Sequence, residues 1–282
     1  MMTAQLLSGK ELATKKREQM KEKVKDLVEQ HVTPGLAVIL IGENPASQTY
    51  VRAKQKACAD VGIYSRLIER PESISEEELL QEIDQLNDDP AIDGILVQLP
   101  LPNHITEQAV IERIAPEKDV DGFHPISIGK MMTGEETFLP CTPYGVVEML
   151  KEAKLPLEGQ HVVVIGRSNI VGKPVGQLLL NENATVTYCH SRTKDMRGLT
   201  TQADILIVAV GRPKFIKVDD VKDGAIVVDV GINRVDGKLC GDVDFDDVKE
   251  KASYLTPVPG GVGPMTITML LENTIQSAQQ RK

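Results

Sequence analysis

The 282-residue chain has no tryptophan, only 3% aromatic residues, four cysteines, and 32 Lys+Arg against 41 Asp+Glu. Each scarcity excludes something. With so few rings, the core must be packed mainly by Val, Ile, Leu and Ala. A formal charge of -9 repels phosphate backbones and anionic membrane surfaces over most of the molecule. That argues against nucleic acid and membranes as partners and leaves room only for a local basic pocket for a small anion. The cysteines (Cys58, Cys141, Cys189 and Cys240) are far apart and form no CxxC, as expected of reduced, mostly buried thiols. His31, His104, His124, His161 and His190 show no metal-ligand spacing, so no metal is expected. No apolar run approaches the roughly 18 residues of a spanning helix. The first residues lack the apolar core of a secretory signal, and the basic stretch over 15–25 is interleaved with Glu, unlike an acid-poor transit peptide. A cytoplasmic protein is expected.

What is present is ordinary globular composition, 41% hydrophobic and 26% charged, in a length that suggests two domains. Strand-like and helical runs alternate from end to end, the pattern of α/β layers around parallel sheets. A helical stretch from Gly9 to about His31 leads to the apolar run GLAVILIG (35–42). Asn44 and Pro45 then signal a helix start. YSRLIER (64–70) reads as a strand, and Ser75 with Glu78 forms a capping box ahead of LLQEIDQL. GILVQLPLP (94–102) reads as a strand stopped by prolines. A helix over about 106–114 precedes the turn-rich PEKDVDGFHP (116–125). In the second half HVVVIG (161–166), TVTYCH (185–190), DILIVAV (204–210) and AIVVDVG (225–231) recur about every 20 residues, as β-branched strands buried on both faces of a parallel sheet do. Pro140, Pro143 and the helical pattern over 145–153 read as the connection between the halves. The residues MTITMLLENTIQSAQ (265–279) have helical spacing.

VVVIGRSNIVGKPVGQLLL (162–180) is a strand, a glycine-bearing turn and a helix. Such a turn aims backbone N–H groups and a helix N-terminus at a pyrophosphate. Gly166 suits the tight turn, Gly172 the close backbone approach, and Pro174 the first helical turn. Arg167 and Ser168 replace the second glycine of GxGxxG. Five residues rather than four separate Gly166 from Gly172, and Pro174 stands where a Walker Ser/Thr would bind magnesium, so a triphosphatase is rejected. The next strand ends in His190-Ser191-Arg192-Thr193, with no acid where an NAD site holds the ribose. A hydroxyl and a forked, permanently charged guanidinium suit a phosphorylated ribose. NADP is therefore favoured over NAD, with Arg167 a second contact.

In the first half, Tyr50 and Lys54 lie four apart on one helix face. Gln98 ends an apolar strand, and Asp119 and Asp121 lie in KDVDGFHP, with Gly122 permitting a sharp turn. Strand ends and the loops after them are where α/β sheets present ligand sites. Taken singly, each residue has an ordinary reading: a snorkelling lysine, a packed tyrosine, an edge amide, a turn aspartate. Cys141, without a matched base, reads as structural, and DFDDVKE (244–250) as solvated loop and helix ends.

Together these stretches carry a resemblance. GENPASQTYVRAKQKACADVGI (42–63), ILVQLPLP (95–102), KDVDGFHP (118–125), PCTPYG (140–145), GRSNIVGKP (166–174) and TPVPGGVGPMT (256–266) are similar, in order and spacing, to the signatures of the bifunctional methylene-tetrahydrofolate dehydrogenase/methenyl-tetrahydrofolate cyclohydrolase family. The resemblance implies oxidation of methylene-tetrahydrofolate with a nicotinamide cofactor and hydrolysis of the methenyl product to formyl-tetrahydrofolate. It implies Lys54 as the acid/base residue with Gln98 its partner, Asp121 on the pterin, and Tyr50 on the aminobenzoate ring. It places Gly166, Arg167, Ser168, Gly172, Ser191, Arg192 and Ile232 at the cofactor. Pro259, Gly260, Gly261 and Pro264 become a rigid substrate-side loop, and the protein a homodimer. The expected fold is α/β with two domains separated by a cleft: a folate-binding α/β domain over 1–140 and a Rossmann-like, doubly wound NADP domain over 141–264. The helix over 265–282 is expected to pack back on the first. The residues alone leave two rivals: another two-domain NADP dehydrogenase acting on a small acid, and a non-catalytic dinucleotide sensor.

Overall fold

Residues 3–281 are described by a computed structural model; the expected domain ranges also take in residues 1, 2 and 282, which lie outside the described residues. In chain order the elements are β1 (Gln5–Leu6), α1 (Gly9–Glu29), β2 (Gly35–Ile41), α2 (Pro45–Val61), β3 (Tyr64–Arg70), α3 (Glu76–Asp88), β4 (Gly94–Val97), α4 (Glu107–Arg113), α5 (Pro125–Thr133) and α6 (Cys141–Glu152). There follow β5 (His161–Ile165), α7 (Gly172–Asn181), β6 (Thr185–Cys189), α8 (Met196–Thr200), β7 (Ile205–Val208), β8 (Ile226–Asp229), β9 (Asn233–Val235), β10 (Lys238–Cys240), α9 (Phe245–Val248), β11 (Tyr254–Leu255) and α10 (Val262–Gln280). The chain divides into two units. One holds Thr142–Thr266 together with residues 3–14; the other holds Lys15–Cys141 together with residues 267–281.

The unit that begins at Lys15 is built on a three-stranded parallel sheet, order β3-β2-β4. The central strand, β2, is buried at every residue, as its unbroken apolar run requires. Leu79, Ile83 and Leu86 recur at helical spacing along α3 and pack with Ile39, Ile68 and Ile95 of the sheet. Burying each contributes about 1.5–3 kcal/mol. Both expected start signals operate. Asn44 Oδ1 accepts the N–H groups of Ala46 and Ser47, and Ser75 and Glu78 cap α3 reciprocally. β4 ends at Val97, sooner than the run to residue 102 suggests, because Pro100 and Pro102 have no N–H for the ladder. The last bond is donated by Gln98 N to Ile39 O. Further along the chain, α6 starts at Cys141, ahead of the expected pattern over 145–153.

Residues 267–281 belong to this same unit. Asn273 Nδ2 donates to Val120 O at 2.8 Å and to Leu139 O at 3.0 Å. Ser277 Oγ donates to Asp93 O and Glu117 O at 2.7 and 2.8 Å.

The other unit is a six-stranded, all-parallel sheet, order β1-β11-β8-β7-β5-β6, with a small antiparallel hairpin, β9-β10. Val163, Ile165, Leu206, Val208, Val227 and Leu255 form its core. One boundary differs from expectation. Residues 3–14 lie with this sheet instead of with the first half, because Gln5 and Leu6 pair in parallel with Tyr254 and Leu255. The edge of β11 leaves backbone groups needing partners, and a two-residue strand supplies them. Such a strand is too short to leave a periodic signal in the sequence. Among the described residues no helix is long and apolar enough to cross a membrane.

Candidate functional site

In the Lys15 unit, the turn after β2 and its Asn44 cap set the phase of α2. That phase turns Ser47, Val51, Lys54, Ala57, Cys58 and Val61 inward. Lys54 thus occupies a core position and is only 9% exposed. Its Nζ donates to Gln98 Oε1 at 3.0 Å. Gln98 Nε2 donates to Leu99 O at 2.8 Å, which fixes the amide with its carbonyl toward Lys54. Burial lowers the Lys54 pKa from the usual lysine value, while the negative charge of Asp121 opposes that shift. Asp121 is itself pushed up by burial and pulled down by Lys54 and by a hydrogen bond with Cys141. Tyr50, one turn before Lys54, is more open, at 36% exposure.

The loop carrying Asp121 is held by its neighbour. Asp119, 2% exposed, accepts the N–H groups of Phe123 and His124 and the Ser127 hydroxyl at 3.2, 2.8 and 2.8 Å. Gly122 has φ +74°, and a Cβ there would lie 2.6 Å from the Leu139 and Pro140 backbone. Only glycine fits. The Cys141 thiol donates to Val120 O at 3.2 Å, and its pKa is raised well above the usual thiol value by burial first and by Asp121 second. It is a hydrogen-bonding group here rather than a nucleophile. Lys54, Gln98 and Asp121 are therefore brought together, with Cys141 added. The structural role expected of Cys141, a cysteine without a matched base, agrees with this; its contact with the Asp121 loop was not legible, because Val120 and Asp121 lie 20 or more residues away in the chain.

In the other unit, the β5–α7 turn has the geometry its glycines foreshadow. Gly166 has φ +128°, and its Cβ would sit 2.3 Å from Ala209 O; the Cβ of a residue at 172 would sit 2.5 Å from Gly166 O. Ser168 Oγ accepts the N–H groups of Val171 and Gly172, each at 3.2 Å. Arg167 and Ser168 are exposed beside the turn, and Ser191 and Arg192 are exposed just past the end of β6. The nearest downstream carboxylate, Asp195, accepts Gly198 N–H as the cap of α8. A close-packed glycine turn with a guanidinium and hydroxyls beside it, and no free acid at the second strand's end, fits a phosphorylated dinucleotide. Ile232 lies beyond β8 and is 44% exposed. A Cβ at Gly263 would come 3.7 Å from its Cδ1. In the β11–α10 loop Gly260 has φ +104°. Its carbonyl accepts Lys10 N–H at 2.9 Å, and a Cβ at Gly261 would strike Pro257 O at 2.5 Å. Pro259 and Pro264 flank these glycines in a stiff segment. Among the described residues no group of three His, Cys, Asp or Glu side chains is placed to hold a metal ion.

The chain is similar to known proteins over nearly all of its length. Residues 7–121 match the family model for the tetrahydrofolate dehydrogenase/cyclohydrolase catalytic domain, and residues 140–282 match that family's NAD(P)-binding domain. The bifunctional protein FolD of Halalkalibacterium halodurans is 71% identical over 279 residues, 99% of this chain and 100% of the relative. The crystal structure of the bifunctional FolD methylenetetrahydrofolate dehydrogenase/cyclohydrolase of Campylobacter jejuni is 54% identical, with a TM-score of 0.97 over 99% of this chain and 100% of that one. The Trypanosoma brucei methylenetetrahydrofolate dehydrogenase-cyclohydrolase, solved with NADP cofactor and inhibitor, is 39% identical. Its TM-score is 0.95, over 99% of each chain.

Proposed function

Because the chain belongs to the tetrahydrofolate dehydrogenase/cyclohydrolase family, we propose that Lys54, Gln98, Asp121 and Tyr50 form the folate site of a bifunctional enzyme. Gly166, Arg167, Ser168, Gly172, Ser191, Arg192 and Ile232 hold its NADP, and Pro259, Gly260, Gly261 and Pro264 line the substrate. The enzyme oxidises methylene-tetrahydrofolate to methenyl-tetrahydrofolate and hydrolyses that product to formyl-tetrahydrofolate. The observation that carries the residue assignment is a buried lysine amine bonded to a neutral amide beside a carboxylate.

The chemistry that NADP would supply, held by the residues after β5 and β6, is that of a hydride acceptor for the one-carbon bridge. The protein's work is alignment and proton handling. Asp121 accepts N–H bonds from the pterin edge and holds the ring in place for both steps. Tyr50, half open on the same helix face as Lys54, packs on the aminobenzoate. Burial favours the neutral form of Lys54, and the methenyl cation, once formed, favours it further by repulsion. The neutral amine takes a proton from water as that water adds to the methenyl carbon. It then returns that proton to the ring nitrogen as the carbon–nitrogen bond breaks, and the remaining hydroxyl proton is lost to solvent as the formyl C=O forms. Gln98 aims the amine without adding charge.

A homodimer in the cytoplasm is part of the same proposal. The edge position of β6 and the exposed Leu180 and Tyr188 of α7 and β6 support self-association, and four free thiols suit a reducing compartment. The test of the activity uses purified protein, methylene-tetrahydrofolate and either nicotinamide cofactor, with separate detection of methenyl and formyl products. Both products, with NADP preferred, are expected. Formation of neither overturns the reading.

A further inference from the structure

Two buried aspartates that take no part in the chemistry above are joined in series in the six-stranded unit. Asp242, fully buried, accepts four hydrogen bonds. Its Oδ2 takes the N–H groups of Val210 and Gly211 at 2.7 and 2.9 Å. Its Oδ1 takes Arg212 N–H at 2.8 Å and Asn233 Nδ2 at 2.9 Å. Asp229, 3% exposed at the end of β8, accepts Gly231 N–H at 2.9 Å and Asp242 N–H at 3.0 Å on Oδ1, and Val243 N–H at 2.9 Å on Oδ2. The Asp229 backbone N–H is in turn bonded to Thr256 Oγ1 at 2.7 Å. One carboxylate therefore grips the segment after β7, and the other ties the end of β8 to the residue doing the gripping. The fit is close. A Cβ on Gly231 would fall 2.2 Å from the Asp242 carboxyl group, and one on Gly241 would fall 1.8 Å from Asp229 Oδ2. Burial, helped by the charge of Asp242, pushes the Asp229 carboxyl up to about 7 against the pull of its three donors. The pair is thus held in place by geometry, with Asp229 buried at an electrostatic cost that its backbone donors partly offset.

The sheet order says what this clamp serves. β5 carries the glycine turn; β6 lies on one side of it, and β7 and β8 lie on the other. A dinucleotide straddles the point where strand order reverses, outside the carboxyl ends of the strands. Arg192 at the end of β6 marks the side of the phosphorylated ribose, so the nicotinamide half extends over the ends of β7 and β8. The segment after β7 also touches the turn, since Gly166 packs on Ala209 O. We propose that Asp242 and Asp229 are positioning residues for hydride transfer: a backbone clamp that fixes the loops after β7 and β8, and with them the wall against which the nicotinamide ring is set. The inference rests on the NADP assignment above.

Bifunctionality supplies an internal control, because methenyl hydrolysis is assigned to Lys54 in the other unit and consumes no redox cofactor. Asp242→Asn keeps size and shape but turns an amide N–H toward backbone N–H donors. In the purified full-length protein, the NADP dissociation constant should stay within about threefold, since the turn and Arg192 are untouched. The dehydrogenase kcat should fall at least about tenfold, a change worth about 1.4 kcal/mol, with cyclohydrolase activity within about twofold of the parent. A parallel fall of both activities, or an unchanged dehydrogenase kcat in folded protein, overturns the clamp. Should Asp242→Asn not fold, Asn233→Ala removes only one of the four donors, and it should still lower the dehydrogenase kcat about threefold while sparing hydrolysis. No fall there overturns the proposal as well. If the parent enzyme itself shows no NADP-dependent oxidation, it is the cofactor assignment that fails, and the two failures are distinct.

Discussion

Lys54 Nζ stands 3.0 Å from Gln98 Oε1, a contact that joins the middle of α2 to the residue just past the end of β4. Neither residue is conspicuous alone. Together they make a buried amine with one fixed acceptor, and the carboxylate that acts on it, Asp121, belongs to a third segment. That arrangement lets the amine lose its charge and still keep its direction.

Replacing Lys54 by Met keeps a long apolar stem in a position that is already nearly closed to solvent. Methenyl-tetrahydrofolate hydrolysis, followed by absorbance, should fall by at least about a hundredfold. The circular dichroism spectrum and NADP affinity should be those of the parent. Hydrolysis that survives the change removes Lys54 from the proton transfers.

The pH dependence follows from the same pair. Burial holds the Lys54 pKa below the ordinary lysine value, and Asp121 holds it up. Hydrolysis needs the neutral amine, so its rate should rise with pH through that lowered pKa. Asp121→Asn removes the anion that favours the protonated form. The rising limb of the profile, measured at saturating folate, should therefore move to lower pH, even as KM for folate increases. A limb that stays put, or moves up, contradicts the coupling.

Arg192 is exposed at the end of β6 with no carboxylate assigned to the ribose beside it. A charge-assisted bond to a phosphate contributes about 1.5–3 kcal/mol. Arg192→Ala should thus cut kcat/KM for NADP by roughly tenfold to a hundredfold, leaving the value for NAD nearly unchanged. Equal use of both cofactors by the parent enzyme would remove the basis of this assignment.

Asp119 offers a stability test. Burial pushes its carboxyl up to about 7, despite its three donors. In the unfolded chain an aspartate titrates near about 3.9, so between those values the native state binds the extra proton. Stability contributed by this proton is fully present below the unfolded value and is lost as pH rises through about 7. Urea midpoints at pH values below and above that range should fall more in the parent than in Asp119→Asn. An equal fall in both excludes Asp119 as the source.

The residues that local pattern could reveal are those whose partners are near in sequence. The caps at Asn44 and Ser75, the glycine turn at Gly166 and the buried runs of β2, β5, β7 and β8 are all of this kind, because helix phase, turn sterics and apolar periodicity act within a few residues. The early stop of β4 belongs with them, since the two prolines say why it ends. The candidate set Tyr50, Lys54, Gln98 and Asp121 was legible as positions on helix faces and strand ends. That Gln98 partners Lys54 came only from the family resemblance, and the near-complete burial of Lys54 was not legible in its local pattern, because burial depends on what packs over the helix.

Tertiary structure alone decided the rest. A two-residue strand near the N-terminus joins the far edge of the six-stranded sheet, and its pairing energy comes from a partner some 250 residues away. Asp119 and Asp121 are separated by one residue, yet the fold turns the first onto backbone donors and leaves the second facing Lys54. Nothing in the linear sequence pairs Asp229 with Asp242; the loops after β7 and β8 bring them together. Hydrogen-bond satisfaction of buried charge is a property of three-dimensional neighbours. A linear pattern carries the spacing of the donors but not the point where they meet.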